Sequence, residues 1–296
     1  IVGTSEGALG TCCDFQSMIT EKGNASGSAF KFPNTVYNAA GGYLSICSGI
    51  KGYNVTVTNG AQSGLASMAY AMSVLRSGQE NAMLATGSDE NSDIMTELFG
   101  KLGVTSESVV TPFAGNDGFV LSDGSASVLI EDEKAARERG ARIYCHVAGY
   151  GMAHSNVKFG TLTGSEAGLT NAVNNALADA GMAIDDIDAV FGFANGMKAV
   201  DDVEIKGLTA VFGDKLAEKP VVELKEVLGE SRAAAATTAA AHAALMFAGK
   251  IPSQEAYSIA ADGSVSKTNV EASKLNNVLV VAYGAGGSYT AIVLSK

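Results

Sequence analysis

One stretch, residues 54–78, constrains the fold more than any other. Asn54-Val55-Thr56-Val57-Thr58 alternates β-branched residues and reads as a strand, Asn59-Gly60 as a sharp turn, and Ser63–Ser77 as a helix stopped by Gly78. A strand that turns through a glycine straight into a helix presents one side chain at the helix N-terminus. Free backbone N–H groups and the helix dipole there stabilise a thiolate or an oxyanion. The geometry suits a nucleophile, yet the turn carries Gly60, Ala61 and Gln62, and none of these is one.

At 296 residues with 47% hydrophobic content, the chain can bury a sizeable core as one large domain or two fused smaller ones. A net charge of −11, with no run of Lys and Arg, argues against a nucleic-acid partner. No apolar run approaches the roughly 20 residues that span a bilayer, so a soluble, cytoplasmic chain without a membrane partner is expected. Cys12, Cys13, Cys47 and Cys145 lack CxxC spacing and nearby His, which predicts reduced thiols and no metal site. Ile1–Ser5 reads as the end of a core strand entering a glycine turn, so the sequence is expected to start inside the first half of its fold.

Asn81–Glu90 is a short apolar run ending in a polar turn, as a buried strand would be. A helix over Glu133–Arg139, stopped by Gly140, leads to the strand-like Ala141–Gly151. The second half reads as helix Glu166–Gly181, strand Ala189–Ala194, helix Asp201–Phe212, strand Pro220–Leu224, helix Ser231–Gly249, and closing strands Asn277–Tyr283 and Tyr289–Leu294. This alternation predicts an α/β chain with a mostly parallel, helix-covered sheet. Val55–Ser77 and Val221–Phe247 both run strand, small-residue turn, Ala-rich helix, consistent with an internal duplication.

The elbow Asn59-Gly60-Ala61-Gln62-Ser63-Gly64-Leu65 resembles the T-A-C-x-S-G-L elbow of the β-ketoacyl-ACP synthases, with Ala61 where that family has its catalytic Cys. Gly3–Leu9 is similar to their G-S-x-x-G-G-L turn. Phe32–Ile46 looks like their F-P-x-x-x-x-N-x-x-A-G-x-I-S-I segment, a helix near the dimer interface. Thr111-Pro112-Phe113, Asp117–Val120 and Asp123–Ala126 resemble their R-P-F-D…D-G-F-V…G-E-G-A loop. The resemblance covers the whole chain. It implies a thiolase-like fold of two similar α/β halves, residues 1–140 and 141–296, in layered αβαβα architecture.

A decarboxylative synthase needs a Cys to carry the acyl chain and two imidazoles to bind the thioester carbonyl and stabilise the enolate. Phe193-Ala194-Asn195-Gly196-Met197 resembles the family's N-A-H-G-T motif with Asn195 in place of the first His, and Asp202-Val203-Glu204 follows where D-x-x-E is expected. Lys225–Glu230 resembles K-x-x-x-G-H with Lys225 kept and Glu230 in place of the second His. Gly284-Ala285-Gly286-Gly287-Ser288-Tyr289 resembles G-F-G-G-T-N, with Ala285 replacing the gating Phe. The three histidines, His146, His154 and His242, fall outside these motifs and read as structural or surface residues.

A synthase scaffold stripped in this way resembles the chain length factor, or ketosynthase β-subunit, of type II polyketide systems. That implies no catalytic residue, no cofactor of its own, and acyl groups delivered on the phosphopantetheine of an acyl carrier protein. It implies a heterodimer with an active ketosynthase α-subunit, paired through the strand Asn54, Val55, Thr56, Val57 and Thr58. The shared acyl tunnel would be shaped by Glu6, Lys31, Phe32, Tyr37, Met68 and Met72. Gln62 stands one residue beyond the position where such factors usually carry Gln; it reads as a displaced equivalent or as a cap for the helix starting at Ser63. Two alternatives remain: an acyltransferase or hydrolase that uses Lys225, Glu230 and Asn195, and an engineered Cys-to-Ala synthase, against which the other losses count.

Overall fold

The computed structural model describes residues 1–158 and 164–296. Its first half runs β1 (Val2–Gly3), α1 (Leu9–Lys22), α2 (Ala39–Ser48), β2 (Thr56–Val57), α3 (Ser63–Arg76), β3 (Ala82–Asp89), α4 (Asp93–Lys101), β4 (Gly124–Glu131) and α5 (Glu133–Glu138). The second runs β5 (His146–His154), α6 (Glu166–Ala180), β6 (Ala189–Phe191), α7 (Lys198–Phe212), β7 (Val221–Val222), α8 (Lys225–Leu228), α9 (Ala233–Phe247), β8 (Ser253–Ile259), β9 (Val265–Glu271), β10 (Asn277–Tyr283) and β11 (Ser288–Ser295).

Two sheets form, in the orders β2-β1-β3-β4 and β5-β11-β10-β6-β7-β8-β9. Their centres are parallel, with β1 against β2 and β3, and β6 against β10 and β7. The flanks are antiparallel, so the expectation of a mostly parallel sheet is corrected to a mixed one. For two of the five antiparallel pairs the cause is short connection. The links β8–β9 and β10–β11 are too brief for the crossover that parallel neighbours require.

Helices α3 and α9 lie between the two sheets, and both are buried around most of their circumference. A helix apolar on every side belongs in the middle of a layered structure. Small residues let the layers close: a Cβ built on Gly64 would stand 2.0 Å from the Ala233 carbonyl oxygen, and one on Gly87 would stand 2.3 Å from it. Helix α6 packs on β5 and β11 at the face of the larger sheet away from α3 and α9, and α7 packs against α6. The result is the thiolase-like layered α/β fold.

Several boundaries move. The strand expected over Asn54–Thr58 shortens to β2, and the helix expected from Pro33 becomes a single 3₁₀ turn over Phe32–Asn34 followed by α2. Strand β5 starts at His146, leaving Ala141–Cys145 irregular. Helices α1 and α4 and the β8–β9 hairpin are additions to the sequence reading. Helix α1 has no buried residue, so it carries no core-facing periodicity to read. Among the described residues, no helix is long and apolar enough to cross a membrane.

Candidate functional site

The elbow forms as the sequence suggests. Gly60 takes φ +67°, the left-handed value that a turn into a helix favours in glycine. Ser63 then locks the turn, accepting the Asn59 amide at 2.7 Å and donating to the Gly60 carbonyl at 2.6 Å. Ala61 sits half-buried at the mouth of α3. Gln62 does not cap that helix: its Oε1 accepts the Thr290 hydroxyl of β11, and its side chain is fully buried with Nε2 unpaired. The capping expectation for Gln62 is therefore corrected, because the second sheet claims the side chain.

The turn Gly284-Ala285-Gly286-Gly287 starts against the elbow. A Cβ on Gly284 would lie 3.1 Å from the Asn59 carbonyl oxygen, and Ala285 is exposed. One residue earlier, the Tyr283 ring meets Phe193 edge-on at 5.4 Å. The Lys225 ammonium stands 3.1 Å from the centroid of that Phe193 ring. Elbow, glycine turn and the second-half motifs thus form one continuous site.

Within it, Lys225, Glu230 and Asn195 converge. Lys225 Nζ donates to Glu230 Oε2 at 2.8 Å and to the Phe193 carbonyl at 3.0 Å. Asn195 Nδ2 donates to the same Glu230 oxygen at 3.0 Å, while Asn195 Oδ1 accepts the Met197 amide. Glu230 Oε1 takes the Arg232 amide at 2.8 Å. The Lys225 and Glu230 side chains are each 6% exposed. Glu230 is thus a carboxylate whose two oxygens are engaged by three donors, where a synthase would offer a histidine to substrate.

Beneath this cluster lies an acidic layer. Asp201, rather than Asp202, is the buried acid of the D-x-x-E pattern. It accepts the amides of Phe113, Asn195 and Gly196, whereas Asp202 is a surface partner of Lys198. The sequence reading placed this role one residue too far on. Burial pushes Asp201 up to about 6 despite those amides. The loop that supplies Phe113 crosses from the first half, and Phe113 itself has φ +65°.

Arg232 is a further site residue that the sequence did not disclose. Its guanidinium, 4% exposed, reaches Glu6 at 3.0 Å and the Glu90 carbonyl at 2.7 Å, with Asp89 at 3.9 Å. Burial, followed by the nearby Asp89 charge, raises Glu6 to about 7. The folded state then holds this proton where the unfolded chain has released it. Stability is expected to fall as pH rises from about 4.5 to about 7, and Glu6→Gln should flatten that slope by about one proton in urea titrations at a pH series.

The residues assigned to a tunnel separate into two settings. Met68 and Met72 pack in the central core, whereas Phe32 and Tyr37 are more than half exposed and Lys31 is exposed. Glu6 and Tyr37 are drawn together, since Gly7 packs directly on the Tyr37 ring. Phe30, Phe32, Tyr37, Tyr43 and Ile46 give the α1–α2 region an exposed apolar face. Strand β2 lies at the edge of its sheet, its outer side unpaired among the described residues.

The β-ketoacyl synthase N-terminal domain model matches residues 1–136, and the C-terminal domain model matches residues 144–257. The chain belongs to the β-ketoacyl synthase family. Among relatives, a 3-oxoacyl-[acyl-carrier-protein] synthase 2 of Vibrio harveyi is 28% identical over 75% of this chain and 55% of its own length. A Streptomyces coelicolor protein named as a putative polyketide β-ketoacyl synthase 2 is 30% identical over 88% of this chain and 63% of its own. The chain spans about half to two thirds of the length of such curated relatives. A solved structure titled the ishigamide ketosynthase/chain length factor superposes with a TM-score of 0.88 at 22% identity, over all of this chain and 75% of its own. A second, titled as a type II polyketide synthase acyl-carrier protein in complex with its ketosynthase, gives 0.89 at 19% identity over 99% and 76%.

Against this β-ketoacyl synthase background, sequence reasoning found Ala61, Asn195, Lys225 and Glu230 and missed Glu223 and Arg232. Glu223 had a readable signal: an acid that ends the apolar run Pro220-Val221-Val222 in a core strand. Arg232 had none. Its role depends on a left-handed backbone, φ +51°, that turns the side chain back onto the first half.

Proposed function

We propose that this chain is a non-catalytic, chain-length-factor-type ketosynthase subunit. It pairs with an active ketosynthase α-subunit in the cytoplasm and shapes the acyl tunnel while the partner condenses malonyl units carried on an acyl carrier protein. One observation carries the reading: beneath an elbow with Ala61 at its apex, the Lys225–Glu230–Asn195 cluster directs its hydrogen bonds inward. A general acid or base needs a free position toward substrate, and Glu230 has every oxygen engaged. The same saturation counts against an acyltransferase or hydrolase built on these residues. The open edge of β2 and the apolar α1–α2 face supply a surface suited to a large, apolar subunit interface.

The test is the native mass of the complex after co-expression with neighbouring synthase genes and purification through a tag on this chain alone. A one-to-one complex with a Cys-bearing synthase is expected; a homodimer that turns over acyl thioesters would reject the reading. A second experiment restores the nucleophile. Ala61→Cys places a thiol at the start of α3, where the helix N-terminus lowers thiol pKa, so rapid alkylation by iodoacetamide is expected. Condensation by the isolated variant is not expected, because Asn195 and Glu230 cannot replace two imidazoles.

A further inference from the structure

Three carboxylate oxygens beneath the Asn195 turn have no hydrogen-bond partner: Glu204 Oε1 and both oxygens of Glu223. Glu204, on α7, is fully buried, and Glu223, just past β7, is 4% exposed. Both reach one point. A Cβ built on Gly192 would stand 1.9 Å from Glu223 Oε1 and 2.2 Å from Glu204 Oε1, so only glycine leaves room for the pair.

We propose that Glu204 and Glu223 share a single proton, carried by Glu223, and that this acid–carboxylate pair clamps the turn bearing Asn195. Two ionised carboxylates here would be acceptors only, facing each other in a buried site without a donor between them. One proton converts Glu223 into a donor toward Glu204 Oε1 and removes the repulsion. The proton's place follows from the amides. Glu204 Oε2 already accepts the Phe193 N–H at 2.7 Å, whereas Glu223 receives no N–H among the described residues and is the one free to donate.

The surroundings reinforce this. Asp201 faces the pair from α7, and the Tyr283 phenol, which donates to the Val200 carbonyl at 3.0 Å, lies near it on β10. The facing cation is Lys225, whose ammonium is directed to Glu230 and the Phe193 carbonyl. Burial first, and the Glu204 charge second, hold Glu223 well above the ordinary carboxylate range. Since Glu204 anchors the Phe193 amide, the shared proton fixes the strand end from which Asn195 emerges.

The experiment is infrared spectroscopy of the folded chain with ¹³C-labelled glutamate at about pH 9, well above both the ordinary carboxyl range and the Glu6 titration at about 7. A protonated-glutamate carbonyl stretch is expected in the native protein and is expected to vanish in Glu223→Gln, whose amide still donates to Glu204. Stability is the second readout. Above about pH 7, past the Glu6 titration, the pair holds one more proton folded than unfolded, so stability should keep declining with rising pH toward the pair's own titration, and Glu223→Gln should lose one proton's worth of that slope. Absence of the stretch in the native protein, or its survival in Glu223→Gln, overturns the proposal. The native spectrum alone decides the matter if the variant does not fold.

Discussion

Lys225→Ala is expected to lower unfolding free energy by about 3–5 kcal/mol, the range found when one partner of a buried ion pair is removed. The substitution leaves the Glu230 carboxyl without its cationic partner in a site where its side chain is 6% exposed, with only neutral donors remaining from Asn195 and the Arg232 amide. It also strips the Phe193 carbonyl of its partner and the Phe193 ring of the cation lying over it. Urea unfolding at neutral pH measures the loss. The double variant Lys225→Met with Glu230→Gln should recover most of it, because the new side-chain amide is neutral and still offers an acceptor to the Arg232 N–H. A loss below about 1 kcal/mol for Lys225→Ala would place the pair among weak surface bridges and undo the account of a locked site.

Gly64→Ala should be at least as damaging, costing about 3 kcal/mol or more and abolishing soluble expression if the layers cannot separate. Its new methyl group would stand 2.0 Å from the Ala233 carbonyl oxygen and 2.4 Å from Thr237 Oγ1, where α3 crosses α9 between the two sheets. The first obstacle is backbone, so no side-chain rotation relieves it. Gly42→Ala is the control: it lies in α2 with open space at its Cβ, and a gain of about 0.5–1 kcal/mol is expected from helix propensity. Thermal unfolding of both variants separates a clash from a general intolerance of alanine.

Much of the site was legible because its segments are local. An alternating run, a glycine turn and a long small-residue helix specify an elbow from neighbouring residues alone, and Ala61 at its apex follows from spacing. Asn195, Lys225 and Glu230 were found differently, through the resemblance of their short motifs to those of the β-ketoacyl synthases. What the motifs did not reveal was how they treat one another: that Glu230 would be saturated by Lys225, Asn195 and Arg232, and that Asp201 rather than Asp202 would hold three amides.

Local pattern was enough for the elements with strong periodicity or sharp punctuation, for the layered α/β class, and for the absence of a nucleophile at the elbow. These rest on backbone propensity and hydrophobic spacing, which act over a few residues. Long-range packing supplied the rest: the mixed strand order, the turning of Gln62 to Thr290, the reach of Arg232 to Glu6, and the meeting of Glu204 with Glu223. Those contacts join residues far apart in the chain. Their energies depend on burial and on which donors happen to face each other, and no run of neighbouring residues encodes either.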